Sequence, residues 1–228
     1  MGELLPGEGV ALASEVTKVV NRRRGSVLAA QTILKYDHFP GCQKLALPER
    51  LDGAPNFRGV DFNQFVLSLS STLFSTEGHS KPKSSCMIYG VAMPTREAIR
   101  LVLKRTRSGP NDSKTLIWTS LREEPVLYVN GKPYVLRLCQ DPLKNLETTG
   151  IERDRVELME IRMKQDALQE LEQYGGRLLL HEEETLGAGG FAIVVGRMRM
   201  CIFNVLINSQ HGKASDRRTC KHRRRSLK

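Results

Sequence analysis

Five cysteines are the residues of this sequence best suited to nucleophilic chemistry. A phosphatase that works through a cysteinyl-phosphate needs an arginine six residues after its nucleophile, because loop amides and the guanidinium bind the phosphate oxygens and keep the thiol ionised. The sixth residues after these five cysteines are instead Pro48, Ala92, Asn145, Ile207 and Ser226. The sequence therefore predicts no catalytic cysteine, and no other catalytic residue is predicted.

The cysteine spacing also argues against disulfides and metals. The number of cysteines is odd and no Cys-x-x-Cys pair occurs, which indicates neither a disulfide framework nor a structural zinc site. Near the end of the chain, a mixed set fits no common zinc-finger spacing: Cys201, His211, Cys220 and His222. We therefore predict no metal and no cofactor.

A glycine-rich stretch, residues 186–194, is similar to the loop that covers the ATP phosphates in protein kinases. Ala192 stands where the third glycine belongs, and no catalytic-loop Asp–Asn pair or Asp-Phe-Gly follows it. A glycine-rich turn before an apolar segment is the favoured interpretation.

Charged clusters supply the remaining candidates. Arg122, Glu123 and Glu124 follow an apolar run, where a charged cluster can line a ligand crevice. A solvated turn with ion pairs is the competing interpretation, and composition favours it. Residues 22–26, Arg-Arg-Arg-Gly-Ser, suit either a kinase target or a solvated basic turn.

The net charge of +10 (35 − 25) is concentrated near the end of the chain. Residues 197–228 contain ten Lys or Arg against one acid, Asp216. Weak binding of nucleic acid or another polyanion is one interpretation of this tail, and a basic tail without such a role is the other. The tail lacks interleaved aromatic side chains that would stack on bases.

The sequence shows no secretory signal and no convincing membrane span. A cytoplasmic location is expected, with the nucleus as the alternative that the basic tail offers.

The apolar pattern predicts an α/β fold with a core of strand, helix, strand, hairpin, helix and strand. The hairpin turn is Asn130-Gly131, and Thr95 and Gly175 are predicted to begin one helix and end the other. The predicted elements are a strand at 88–92, a helix from 95, a buried strand at 115–121, hairpin strands at 126–129 and 134–138, a helix at 151–174 with a Thr149–Glu152 capping box, and a strand at 177–181. Ligands are expected near 93–96 and 121–124, where strands are followed by helices or turns.

Composition divides the chain into four parts. Residues 1–62 are predicted to be irregular, apart from short strands such as 26–28 and 32–34, and residues 63–86 to form a flexible insertion with seven serines. Residues 87–184 hold the α/β core. Residues 185–228 combine an apolar segment with the basic tail.

Several segments together resemble the paladin family, a branch of the protein-tyrosine-phosphatase superfamily close to the cysteine phytases. They occur in family order at 22–43, 51–58, 89–104, 116–137 and 145–166, and the most specific reads LREEPVLYVNG. The resemblance covers roughly residues 20–183, with the Ser-rich stretch as an insertion. It fades after 181–184, before the general-acid loop and the Cys-x5-Arg signature of the family. The chain is therefore expected to be the N-terminal piece of a phosphatase-like domain.

The resemblance implies a parent that hydrolyses phosphomonoesters on phosphoproteins or inositol phosphates through a cysteinyl-phosphate, without a metal. Arg122 matches the Leu-Arg-x-Glu arginine of the family, so Arg122, Glu123 and Glu124 are candidates for the edge of the substrate site. This chain is expected to be inactive. The alternatives are a non-catalytic module that binds phosphate, inositol phosphate or a protein, and polyanion binding through the tail. The incomplete sheet is expected to leave apolar surface exposed, with a partly ordered core and a tendency to aggregate. The segment 191–207 is apolar and suits either an added strand or a packed helix.

Overall fold

The computed structural model describes residues 13–38, 49–73, 86–109, 111–112, 114–148, 150–185, 188–195 and 198–202. The helices are α1 Ala13–Arg22, α2 Phe62–Leu73, α3 Arg96–Thr106 and α4 Arg153–Gln173. The strands are β1 Thr32–Tyr36, β2 Arg58–Asp61, β3 Met87–Gly90, β4 Val126–Val129, β5 Lys132–Leu138, β6 Arg177–Thr185, β7 Ala188–Val195 and β8 Met200–Ile202. No helix in these ranges is long and apolar enough to cross a lipid bilayer.

Six strands form the main sheet in the order β7-β6-β1-β5-β4-β8, and β2 and β3 form a separate pair. β1 lies between β5, to which it is antiparallel, and β6, to which it is parallel. Buried side chains from β1, β4, β5 and β6 share one apolar cluster with Met163 and Ala167 of α4. The predicted α/β class is confirmed.

The hairpin of β4 and β5 forms at the predicted turn. Asn130 and Gly131 both have positive φ, 51° and 87°, which is the backbone that a two-residue type I′ turn requires. The pairing of Val129 with Lys132 then sets the register of the hairpin.

Helix α3 also begins where the sequence indicates. The Thr95 side chain accepts a hydrogen bond from the Ala98 N–H at 3.2 Å, which satisfies one of the unpaired donors of the first turn. Ala98, Ile99, Val102 and Leu103 are buried on its inner face. This prediction is confirmed.

Helix α4 differs from the prediction at its start. Glu152 occupies the N-cap position and makes no side-chain capping bond, so the predicted capping box is wrong, and Thr149 lies outside the described residues. The predicted end is confirmed, because Gly175 has φ +63° just after the helix.

Residues 115–121 do not form the buried strand that their composition predicts. They have no regular secondary structure, and the Ile117 and Leu121 side chains are 85% and 88% exposed. The positions on both sides of β4 are taken by β5 and β8, so this segment has no neighbouring place in the sheet.

Three further segments depart from the sequence-based predictions. Helix α1 was not predicted, although Val16 and Val20 are buried four residues apart on one face. Residues 26–28 form a bend rather than a strand. The first part of the Ser-rich insertion belongs to helix α2, while residues 74–85 lie outside the described residues.

The segment after the family resemblance supplies strands to both edges of the sheet. β7 pairs antiparallel with β6, and β8 pairs antiparallel with β4. The kinase-like glycines Gly189 and Gly190 therefore lie in a strand of a hairpin. Of the two possibilities left open for the segment 191–207, a strand or a packed helix, its described part forms strands.

A buried ion pair joins the end of α1 to α4. Arg23 Nε lies 2.5 Å from Glu170 Oε2, and Arg23 Nη2 lies 2.9 Å from Glu170 Oε1. Arg23 also donates to the carbonyl oxygens of Thr32 and Leu179, and the Leu179 N–H donates to Glu170. This cluster ties α1, β1, α4 and β6 together.

We expect Glu170→Ala to lower the free energy of unfolding by ~3–5 kcal/mol, because it leaves the Arg23 guanidinium buried without a counter-charge. Glu172→Ala, at an exposed position of the same helix, is the control and should change it by less than about 0.5 kcal/mol. Urea titrations measure both variants. Equal effects would contradict a specific role for the pair.

Candidate functional site

A cleft of about 470 Å³ lies between the segment 118–124, the start of β4 and the first half of α4. Its charged lining consists of Arg122, Glu123, Glu124, Arg153, Glu157 and Glu160. Met93, from the other predicted ligand region, also lines it. The structure therefore brings the three predicted site residues to one cleft, together with one end of the 93–96 junction.

Arg122 is held in place by two carboxylates. Its Nη1 donates to Asp37 Oδ2 at 2.7 Å, and its Nη2 donates to Glu124 Oε1. Asp37 is buried beyond the end of β1. Burial raises the pKa of the Asp37 carboxyl, and the positive charge of Arg122 opposes that rise.

Glu124 also receives a second guanidinium. Arg137 Nη1 donates to Glu124 Oε2 at 2.6 Å, and Arg137 Nη2 donates to Asn145 Oδ1 at 2.7 Å. Arg137 is only 1% exposed. Among its described contacts, Glu124 is the carboxylate that balances its positive charge. A continuous chain of ion pairs and hydrogen bonds results, from Asp37 through Arg122, Glu124 and Arg137 to Asn145.

Glu123 takes no part in this chain. Its side chain is exposed, and its Oε2 accepts a long hydrogen bond of 3.4 Å from the Gly150 N–H. The two adjacent glutamates therefore have different roles: Glu124 orients Arg122, while Glu123 contributes charge at the mouth of the cleft.

Glu160 of α4 brings an unusual carboxyl to the same cleft. The residue is buried, and its Oε1 accepts a hydrogen bond from the Val126 N–H at 3.1 Å. Burial raises the pKa of Glu160 to about 7, and this rise exceeds the lowering effect of that hydrogen bond. A carboxyl with such a pKa can exchange a proton near neutral pH.

The charge balance of the cleft is negative. Four glutamates line it against two arginines, and both arginines already have carboxylate partners. Besides the bonds of Arg122, Arg153 Nε lies 3.0 Å from Glu157 Oε1. A phosphate group entering the cleft would therefore compete with two carboxylates for Arg122.

The described thiols do not resemble activated nucleophiles. Cys139 and Cys201 are half-buried, and burial raises the pKa of both thiols. A nucleophilic thiolate needs the opposite shift. Cys42 and Cys220 lie outside the described residues, and Cys86 is exposed. In the described part of the chain, no three His, Cys, Asp or Glu side chains are grouped to hold a metal ion.

The basic cluster at 22–24 is divided between the interior and the surface. Arg22 and Arg24 are exposed, whereas Arg23 is buried on Glu170. Ser26 is exposed. One of the three arginines of the cluster, Arg23, thus has a structural role. The basic tail, after Ile202, lies outside the described residues.

Sequence reasoning missed Glu160, which lines the cleft, and Asp37, which is not part of the lining but binds Arg122. Asp37 directly follows the short run 32–36, and a polar residue at the end of a strand is a recognised signal of a ligand site. Glu160 lies between apolar residues on an amphipathic helix, where its sequence context shows nothing unusual.

We expect Glu124→Gln to lower the free energy of unfolding by about 2–3 kcal/mol, because a neutral amide cannot balance Arg122 and the buried Arg137. Glu123→Gln removes the same charge from the adjacent position and should cost less than about 0.5 kcal/mol. Chemical denaturation compares the two. A larger loss for Glu123→Gln would refute the roles assigned to them.

Glu160 should make the protein less stable as pH rises. Its folded pKa, about 7, lies above the unfolded value of about 4.5, so the folded state binds the extra proton between these values. Stability should be full below about pH 4.5 and fall by roughly 3 kcal/mol up to about pH 7.

Glu160→Gln should therefore stabilise the protein at pH 8 and have little effect at pH 5, since the amide carries no charge to desolvate. Glu157→Gln, on the same helix, controls for the loss of one negative charge from the cleft. Thermal melts across this pH range measure the difference. A pH-independent effect of Glu160→Gln would show that its carboxyl is not held neutral.

One family model matches this chain: residues 119–212 match that of the protein-tyrosine-phosphatase-like phytases, described as inositol hexakisphosphate. The match begins at the cleft segment and includes β4, β5, α4 and β6–β8. No curated protein matches the chain, and no solved structure does. The matched segment, less than half of the chain, is thus of phytase-like phosphatase type, and the α/β architecture is consistent with that fold.

Proposed function

We propose that this chain is a paladin-like, phosphatase-type unit of the inositol-phosphate class that turns over no phosphomonoester. The observation that carries the proposal is the cysteine register. Residues 119–212 match a phytase family whose chemistry needs a cysteine nucleophile, yet none of the five cysteines of this sequence precedes an arginine by six residues.

The environment of the thiols supports the same conclusion. Cys139 and Cys201 are half-buried, and the pKa of each thiol is raised by that burial. Both therefore stay protonated near neutral pH, where a thiol attacks phosphorus poorly. The absence of turnover is thus proposed on two grounds, the sequence register and the buried state of these thiols.

A role for Arg122, Glu123 and Glu124 at the edge of a substrate site stays a prediction. Arg122 lies in a cleft of sufficient size for a small ligand, which supports it. The carboxylates of Asp37 and Glu124 on its guanidinium weigh against it, since a phosphate would compete with them.

We expect no vanadate-sensitive hydrolysis of an aryl phosphate or of inositol hexakisphosphate by the purified chain. Loss of the nucleophile of a covalent enzyme costs roughly 10⁶-fold in kcat, so the loss should be complete in practice. Any residual rate should be the same in Cys86→Ser, Cys139→Ser and Cys201→Ser. Turnover that vanadate inhibits and that one of these changes abolishes would overturn the proposal.

Binding without turnover is tested on the same preparation by calorimetry with inositol hexakisphosphate. Binding through the basic tail should weaken steeply with salt and disappear when residues 197–228 are deleted. Binding in the cleft should survive in a deletion that begins after Ile202, which keeps β8, and should respond to Arg122→Lys because lysine cannot reproduce the two-pronged contact.

A further inference from the structure

The cleft between the segment 118–124, the start of β4 and α4 combines apolar walls with an excess of carboxylates. Its apolar lining consists of Met93, Trp118, Val126, Ile151 and Val156. Both arginines of the lining, Arg122 and Arg153, are already held by carboxylates. A negative, partly apolar cleft attracts cations rather than anions.

Glu160 and Glu123 are the carboxylates of the lining that no described arginine or lysine binds. Glu160 is 6% exposed, and its Oε1 accepts the Val126 N–H at 3.1 Å. Its Oε2 accepts no hydrogen bond from any described residue. A buried oxygen without a donor is costly, and a donor on a ligand can remove that cost. Because Glu160 lines the cleft, the cleft is where such a donor would enter.

One available carboxylate oxygen selects a particular type of cation. A guanidinium binds best through two parallel N–H groups to both oxygens of a carboxylate, but Oε1 of Glu160 is already engaged by the backbone. An ammonium is a compact charge on a flexible stem, and a single oxygen suffices for it. The apolar walls suit the methylene groups of such a stem, and the volume of about 470 Å³ lies in the range of small-ligand sites.

We propose that this cleft binds an alkylammonium group, with the ammonium on Glu160 Oε2 and the methylene stem against Trp118 and the other apolar side chains. Glu123, exposed at the mouth of the cleft, adds a negative charge that attracts the cation. A lysine side chain of a peptide and a free linear amine share this chemistry. The inference is independent of the proposed absence of turnover, since no thiol takes part in it.

Binding of the cation should be coupled to the release of a proton. Burial raises the pKa of Glu160 to about 7, so its carboxyl is mostly protonated at pH 6 and mostly ionised at pH 8, whereas an alkylammonium is charged at both. The charged and titratable groups around it are Arg122, Glu123 and Glu124 of the segment 118–124, Arg153 and Glu157 of α4, and Tyr128 of β4. The described lining contains no histidine and no cysteine. The dissociation constant should therefore be about tenfold higher at pH 6 than at pH 8.

Trp118 reports binding directly, because it lines the cleft and is the single tryptophan of the sequence. Titration with n-pentylamine at constant ionic strength should change its fluorescence in a saturable way, with a dissociation constant on the order of 1 mM at pH 8. The uncharged 1-pentanol has the same stem and should give no saturable change in this range. Nα-acetyl-lysine N-methylamide is the second probe. Tighter binding of this probe would identify a peptide lysine as the ligand, and weaker binding a free amine.

Glu160→Gln should raise the dissociation constant for n-pentylamine at least about tenfold at pH 8 and remove its dependence on pH, because the amide carries no charge to pair with the ammonium. Glu172→Gln, at an exposed position of α4 outside the cleft lining, removes the same charge and should change it less than about twofold. No saturable change with n-pentylamine, an equal response to 1-pentanol, or equal effects of the two variants would overturn the proposal.

Discussion

Three charged side chains near the start of the chain are buried, and each is balanced by a residue far along the sequence. Arg23 pairs with Glu170, Lys35 with Glu183, and Asp37 with Arg122. A buried ion without its partner costs several kcal/mol, on the order of the whole stability of a small domain. The N-terminal region can therefore reach its folded state only when α4, β6 and the segment before β4 are in place. The position of β1 between β5 and β6 satisfies all three pairs at once.

The same constraint shapes the cleft. Asp37 and Arg137 are buried on opposite sides of Arg122 and Glu124, so these two residues are first of all parts of a buried ion network. Any anionic ligand of Arg122 has to compete with the two carboxylates of that network. Glu160 adds a carboxyl that burial keeps largely protonated up to about pH 7. The negative charge of the cleft therefore grows as pH rises through neutrality, which disfavours anionic ligands further. These properties fit a phosphatase-type unit without turnover better than an efficient site for inositol phosphates.

The segment after residue 187 supplies the two outermost strands of the main sheet. β7 extends the β6 edge, and β8 occupies the β4 edge. Most apolar side chains of the central strands are covered as a result, including those of β6 at 178–180. Among the described residues, the most exposed large apolar side chains are Ile117 and Leu121, in the segment that β8 leaves without a place beside β4.

The sequence by itself determined the features that depend on neighbouring residues. The Asn130-Gly131 turn, the Thr95 cap and the end of α4 at Gly175 follow from local backbone preferences, and the apolar period identified α3, α4 and β6. Tertiary structure decided what depends on contacts between distant residues. The run at 115–121 has strand composition, but strand formation requires a neighbouring strand, and the places on both sides of β4 are taken by β5 and β8. Packing of distant elements brought Glu160 to the cleft and Asp37 to Arg122, and it removed both carboxyls from water. Arg122 was singled out from its sequence context. Whether its positive charge is available to a ligand depends on two carboxylates, one of them 85 residues away. No local sequence pattern could reveal that pairing.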